Sequence, residues 1–263
     1  MPRVAALYRY PVKGFTPEVC DTLTAREEGR IAGDRVLAFR FANSSVPDAD
    51  WSRKQECVVL MNTPGLARLS VRLDHEALRL RMALDGALLA EAGLDDAGRQ
   101  KLCSALTDYV MTLRENPLQG FPDRLPLRLV GDGMTPRYQD NVGGHATLHG
   151  RASLDEVAVA AGDHALDETR FRSNIVVDGL EAWEELRWMG RRVRIGDVEF
   201  EVVRQKVRCL ATHANPRTGE RDVSVMPTLV KAFSQKEPTF GIGMVTSGLG
   251  GIVRLGDAVS LVG

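Results

Sequence analysis

In the N-terminal third of the chain, apolar residues fall in short runs with a period near two, the spacing of half-buried strands. Val4 to Tyr10, Val36 to Phe41 and Cys57 to Met61 are three such runs. From Arg68, RLSVRLDHEALRLRMALDGALLAEA continues the pattern but breaks at Asp74-His75 and Asp85-Gly86, which predicts short strands joined as hairpins. The period then changes. Between Ala97 and Leu113, Leu102, Leu106, Tyr109, Val110 and Leu113 recur at helical spacing, with Asp95 or Asp96 as N-cap. After Asn116-Pro117 and a loop to Pro126, strand patterns return in LPLRLV. They recur at Asn174 to Val177, Arg191 to Ile195, Val198 to Val207, Ile242 to Thr246 and Ile252 to Val262, the last turning at Gly256-Asp257. A short helix is predicted near Leu154 to Ala161. The expected fold is mainly β with α elements (α+β). An N-terminal β-rich unit with its linking helix would take residues 1–115, and a second β unit residues 116–263.

With 263 residues and 44% hydrophobic side chains, the chain can bury a substantial core. Its 34 Lys and Arg nearly balance 35 Asp and Glu, so bulk charge gives no reason to expect nucleic acid or an anionic membrane as partner. Any basic cluster must be local. No stretch approaches the ~20 apolar residues of a membrane span, and MPRVAALYRYPVKG lacks a signal-peptide core, so a cytoplasmic location is expected. Cys20, Cys57, Cys103 and Cys209 form no C-x-x-C pair, which argues against a structural zinc site, a dithiol redox pair or an iron–sulfur cluster.

Three segments carry candidate chemistry. In TRFRSNIVV (Thr169 to Val177), strand alternation would put Arg170, Arg172 and Asn174 on one face, a row of donors suited to an oxyanion or equally a solvated face. In EFEVVRQKVRC, alternation puts Arg204, Lys206 and Arg208 on one face and Val207 and Cys209 on the other. Cationic neighbours favour a thiolate, which is both a nucleophile and a soft metal ligand; a small buried hydrophobe at a strand end is the plainer role. In YRYPVKGF, Pro11 should end the first strand and leave Lys13 and Gly14 in a turn. His213, His145 and His149 are candidate proton donors, each equally compatible with a non-catalytic place. The glycines of GIGMVTSGLGG (Gly241 to Gly251) are expected in a hairpin turn, because their spacing is not a dinucleotide fingerprint. Cys20, Cys57 and Cys103 are expected to be structural, and Trp183 and Trp188 to pack under a loop.

RYPVKG at the N-terminus, GDR (Gly33 to Arg35), RFRSN, VRC followed by NPRTGE, and a closing GIVRLGDAV resemble, in this order, the MOSC proteins. The name stands for molybdenum cofactor sulfurase C-terminal domain. The likeness is best to members with an N-terminal MOSC β-barrel unit, which include the amidoxime-reducing components, and it spans nearly the whole chain. It implies a β-barrel MOSC domain and a molybdenum cofactor, a molybdopterin whose metal is held by the pterin dithiolene and by one protein thiolate, Cys209. It further implies Lys13, Gly14 and Arg35 reaching over from the N-terminal unit, and Arg172, Asn174 and Arg208 around the pterin or its phosphate. Gly14 stands where serine is usual. DNVGGH (Asp140 to His145) stands where a Thr-Ser pair is usual, leaving Gly143 and Gly144 to bind phosphate through the main chain alone. Serine replaces a common proline between Arg172 and Asn174.

The resemblance implies an oxidoreductase that removes oxygen from N-hydroxylated small molecules. Without cluster ligands of its own, the chain would need a separate electron-donor protein, a flavin or iron–sulfur partner. Two alternatives remain open on the sequence. One is a cofactor or sulfur carrier without turnover; the other is a metal-free enzyme using Cys209 as nucleophile with His213 or His145 as base.

Overall fold

The computed structural model describes residues 1–262. In chain order the elements are β1 (Arg3–Arg9), β2 (Glu18–Cys20), β3 (Thr22–Ala25), β4 (Ala38–Arg40), a meander β5 (Leu69–Asp74), β6 (Arg79–Leu84) and β7 (Ala87–Gly93), and helix α1 (Asp96–Met111). Then come β8 (Arg128–Val130), β9 (Ala146–Gly150), α2 (Arg151–Ala161), β10 (Ile175–Asp178), β11 (Arg192–Ile195), β12 (Val198–Val207), α3 (Val225–Ala232), β13 (Thr239–Thr246), β14 (Gly251–Arg254) and β15 (Val259–Leu261). The architecture is mixed α+β, mostly sheet with three helices.

Eight strands share one sheet in the order β15-β11-β12-β13-β9-β10-β1-β2. Its neighbours are antiparallel except β9 and β10, whose parallel pairing is made possible by the α2 crossover between them. The expected closed barrel is not formed as a continuous ladder. A short bridge at Arg3 and Ala258, with Val4 N–H to Asp257 O, Gly256 N–H to Val4 O and Val259 N–H to Pro2 O each at 2.9 Å, ties the start of β1 to the segment entering β15.

The meander matches its pattern. β5 alternates buried and exposed positions throughout, and α1 lays Leu102, Leu106, Tyr109 and Val110 against it behind an N-cap in which Asp95 accepts from Gly98 N–H at 2.7 Å. Together with Val12, Phe15, Leu37 and Phe39 these form one core; Val4, Leu7, Leu23 and Ile31 instead join the core of the eight-stranded sheet with Phe200, Val202 and Ile242. The first strands, inside residues 1–115, thus pack with the second half of the chain.

Two strand expectations fail for local reasons. Cys57 to Met61 is a loop, because the Asn62 side chain accepts from Val59 N–H and donates to Cys57 O, turning the chain on itself. Thr169 to Asn174 is not extended either. Asp167 accepts from Thr169 N–H and Oγ, starting a 3-10 turn over Glu168–Phe171 that ends with Arg172 at φ +53°. Face alternation therefore does not apply to Arg170, Arg172 and Asn174. Helix α3 and strand β9 lie outside the sequence expectations. Among the described residues no helix is long and apolar enough to cross a membrane.

Candidate functional site

A cavity of about 210 Å³ opens where the turn after β1, the loop 138–141, the start of β9, the turn at Arg170 to Arg172 and the end of β12 converge. Lys13, Gly14, Arg35, Arg172, Arg208 and Cys209 all line it. Gly143, Gly144 and Asn174 do not. Eight Lys and Arg side chains face the cavity against one carboxylate, Asp140.

One wall is made by the Lys13 turn, Arg35 and Arg172. Lys13 is buried, and its ammonium donates to Tyr138 O at 2.9 Å and Gln139 O at 3.1 Å, with Asp140 Oδ1 at 3.7 Å. Burial pulls its pKa below the usual lysine value, partly offset by Asp140. Arg35 pairs with Asp34 and donates to Arg172 O; although burial opposes it, the Asp34 charge raises its pKa. Arg172 donates to Phe15 O, and burial followed by repulsion from Arg35 lowers its pKa. Both guanidiniums lie over the ring of buried Tyr10, at 4.7 and 4.3 Å from its centroid, a cation–π arrangement that fixes their heads. Asn174 acts behind this wall. Its amide donates to Tyr8 O and Asp34 Oδ1 and accepts from Thr147, which sets the carboxylate that orients Arg35.

Gly14 has φ +80°, and a Cβ there would lie 2.5 Å from Val59 Cβ. The conformation and the packing both demand glycine, which accounts for the absence of a hydroxyl. Gly143 N–H donates to Asn141 Oδ1 and Gly144 N–H to Asn141 O, so both main-chain donors expected to face phosphate are used inside their own turn.

The other wall is the end of β12. Cys209 follows it, half-buried, and its carbonyl accepts from Thr212 N–H, opening a 3-10 turn over Leu210–His213. Beside it Arg208 donates to Phe171 O and Phe240 O, each at 2.7 Å, and burial lowers its pKa to about 10. Room for this guanidinium comes from Gly241, at φ +71°, where a Cβ would meet Leu148 O at 2.6 Å and Arg208 Nη2 at 3.1 Å. Gly241 and Gly243 thus lie within β13, not in the expected turn. Lys206 and Arg204 also reach the cavity; burial and repulsion by Arg208 bring Lys206 down to about 8.

Of the three histidines only His145 lines the cavity. Burial, with Lys206 and Arg204 nearby, pulls it to about 4, so it is neutral at pH 7. His149 is fully buried against Phe171 and Phe240, and burial followed by Arg208 pulls it to about 3. His213 accepts from Met226 N–H at 3.1 Å through Nε2 and faces away from the cavity. Sequence reasoning missed Asp140. Its side chain is 61% exposed at the cavity mouth, so the partial desolvation that opposes its ionisation is outweighed by Lys13, Arg35 and Lys206, which hold its carboxyl well below the usual range.

The set suits a polyanion with a soft metal at one end. Among the described residues no three His, Cys, Asp or Glu side chains converge as a metal site, so a metal at Cys209 would need its other ligands from outside this set. Arg170 Nε, Arg204 Nε, Gln139 Oε1 and His145 Nδ1 are buried, belong to lining residues and have no partner within the chain.

Comparison with known proteins adds the following. The MOSC domain pattern matches residues 144–260. Human mitochondrial amidoxime-reducing component 1 (Homo sapiens) is 32% identical over 298 residues, covering 99% of this chain and 83% of that protein. Mitochondrial amidoxime reducing component 2 of Rattus norvegicus is 38% identical over 99 residues, 34% of this chain and 28% of that one. Molybdenum cofactor sulfurase of Caenorhabditis briggsae is 41% identical over 93 residues; the match takes in 35% of this chain but spans only 13% of the sulfurase. Among solved structures, the YuaD protein of Bacillus subtilis aligns over 98% of this chain and 94% of its own, at 11% identity and a TM-score of 0.42, too distant to carry an argument.

Proposed function

This chain belongs to the MOSC domain family, and we propose that it is a molybdenum-cofactor-binding oxidoreductase that reduces N-hydroxylated compounds. The observation that carries the reading is the convergence of Cys209 with Lys13, Arg35, Arg172 and Arg208 in one cavity. In this reading Cys209 ligates the metal. Lys13, Arg35 and Arg172 hold the anionic part of the pterin, their heads fixed beforehand by Tyr10, Asp34 and main-chain carbonyls, so little ordering is left for binding. Arg208 supports the Cys209 end, and Asn174 positions Asp34 and through it Arg35. Gly14 serves by leaving space, and Gly143 with Gly144 shapes the Asn141 turn at the rim.

The bound cofactor would supply a two-electron reduction: an amidoxime, two electrons and two protons give the amidine and water. The electrons come from a separate donor protein, flavin or iron–sulfur. Neutral His145 and Asp140 flank the reacting space without offering an imidazolium acid at pH 7. For the metal-free thiol enzyme, His213 is unfit as base because its Nε2 is engaged by Met226 N–H, which leaves neutral His145 as the base that reading would need.

The test is molybdenum and pterin per chain after expression in a host that makes the cofactor, for the native protein and Cys209→Ala, followed by amidoxime reduction with an artificial electron donor. Near-stoichiometric metal and pterin, metal lost with pterin retained in the variant, and turnover in the native protein are expected. Binding without turnover would make it a carrier; no metal and no pterin would overturn the cofactor reading.

A further inference from the structure

The β12 wall holds a feature that the proposed cofactor contacts leave unused. Gly243 lies in β13 between Arg204 of β12 and Thr147 of β9. Three side chains cross over this glycine. A Cβ built on it would meet Arg204 Cγ at 3.0 Å, Lys206 Cδ at 3.3 Å and His145 Cβ at 3.4 Å. All three side chains line the cavity. Arg204 Nε and His145 Nδ1 are buried without a partner in the chain, and Lys206 is repelled by Arg208, Arg35 and Arg204 with Asp140 alone attracting it. Desolvated donors that repel one another and find no protein acceptor are costly unless something else fills the space between them.

Resting on the proposed function above, we infer that Arg204, Lys206 and His145, over the floor left by Gly243, form a second anion subsite that takes a carboxylate carried by the substrate. Glycine is the residue that leaves the space. Its backbone here is ordinary strand, with none of the positive φ that marks Gly241, so conformation alone does not require it. A carboxylate seated there would accept from the Arg204 guanidinium and the Lys206 ammonium, and from His145 as a neutral donor, satisfying groups the chain leaves open. The subsite is distinct from the Lys13, Arg35 and Arg172 wall, whose heads are already bound to carbonyls, to Asp34 and to the Tyr10 ring.

The experiment uses cofactor-loaded protein and a matched pair of substrates, an aromatic amidoxime and its para-carboxylated analogue, with native protein, Lys206→Met and Gly243→Ala. The native protein should prefer the carboxylated compound by KM. Both variants should raise that KM by about tenfold, the order expected for one charge-assisted contact, and leave the neutral compound's KM and the pterin content unchanged. A second readout does not depend on turnover: benzoate binding to the purified proteins by calorimetry, with the same loss of affinity in the variants. If benzoate binds and the variants weaken it while no amidoxime is reduced, the subsite stands and the reductase reading fails. The inference is overturned if benzoate binds native and variant protein equally or not at all, or if pterin content falls in the variants, which would give these residues to the cofactor.

Discussion

On the wall formed by Lys13, Arg35 and Arg172, each cation is answered by the protein: two carbonyls for Lys13, Asp34 for Arg35, Phe15 O and the Tyr10 ring for Arg172. On the wall formed by the end of β12, Arg204 Nε has no partner and Lys206 is repelled by three guanidiniums with only Asp140 to offset them. The two walls face the same space but store energy differently. The first is preorganised and contributes to folding whether or not a ligand is present, whereas the second costs folding energy that an anion would return.

The sharpest test of that contrast is Lys13→Met. It strands the Tyr138 carbonyl, whereas Gln139 O keeps its bond from Trp51 Nε1, so a loss of about 1–3 kcal/mol in urea unfolding is expected, together with, on the proposed function, loss of pterin. An unchanged urea midpoint would show that the first wall is not preorganised. Gly14→Ser, which supplies the hydroxyl usual in relatives, should cost about 2 kcal/mol, because φ +80° and Val59 both oppose a side chain. A variant as stable as the native protein would mean that the turn relaxes freely.

His149 lies behind the seam between the walls, and its effect appears with pH. Its folded pKa of about 3 lies below its ordinary 6.5, so the unfolded chain binds the extra proton first as pH falls. The stability it leaves intact above pH 6.5 is lost toward pH 3, by about 1.4 kcal/mol per pH unit well inside that window. His149→Leu should lower the slope of stability against pH between pH 6 and 4 by about 1.4 kcal/mol per unit, leaving a contribution of similar size from His145, and an identical slope would contradict this. The smallest expected effect has the opposite sign. Lys206→Met should stabilise the ligand-free protein by about 1 kcal/mol, since it removes a partly buried charge that three cations repel against the attraction of Asp140; destabilisation would show that the Asp140 attraction outweighs that repulsion.

Much of the fold was legible because period and packing agree. Alternation in β5 and helical spacing in α1 name the faces that the first core buries. Legibility ended where a single polar side chain overrode the pattern, at Asn62 for the 57–61 loop and at Asp167 for the 168–171 turn. The site shows the same limit. Lys13, Arg35, Arg172, Arg208 and Cys209 could be nominated by resemblance and residue type, but the inference that Arg170, Arg172 and Asn174 share a face fell with the strand. Arg170 instead pairs with Asp222 at 2.8 Å. Asp140 went unnoticed because the glycines that follow it drew the phosphate argument, although an acid beside a cluster of cations is itself a signal. The spacing of Gly241 and Gly243 suggests a turn, yet both lie inside β13. Two glycines at alternate positions inside an apolar run mark close approach to a strand face, and here they admit Arg208 at one and the Arg204–Lys206 pair at the next.

The imbalance of eight cationic side chains against Asp140 also bears on how the site is charged with its contents. A bare divalent ion entering this space would be repelled long before it met the single thiol at its edge. On the proposed function, metal destined for Cys209 would travel inside an anion, the organic carrier and its metal arriving as one cargo, and adding a divalent metal salt to carrier-free protein would not assemble the site.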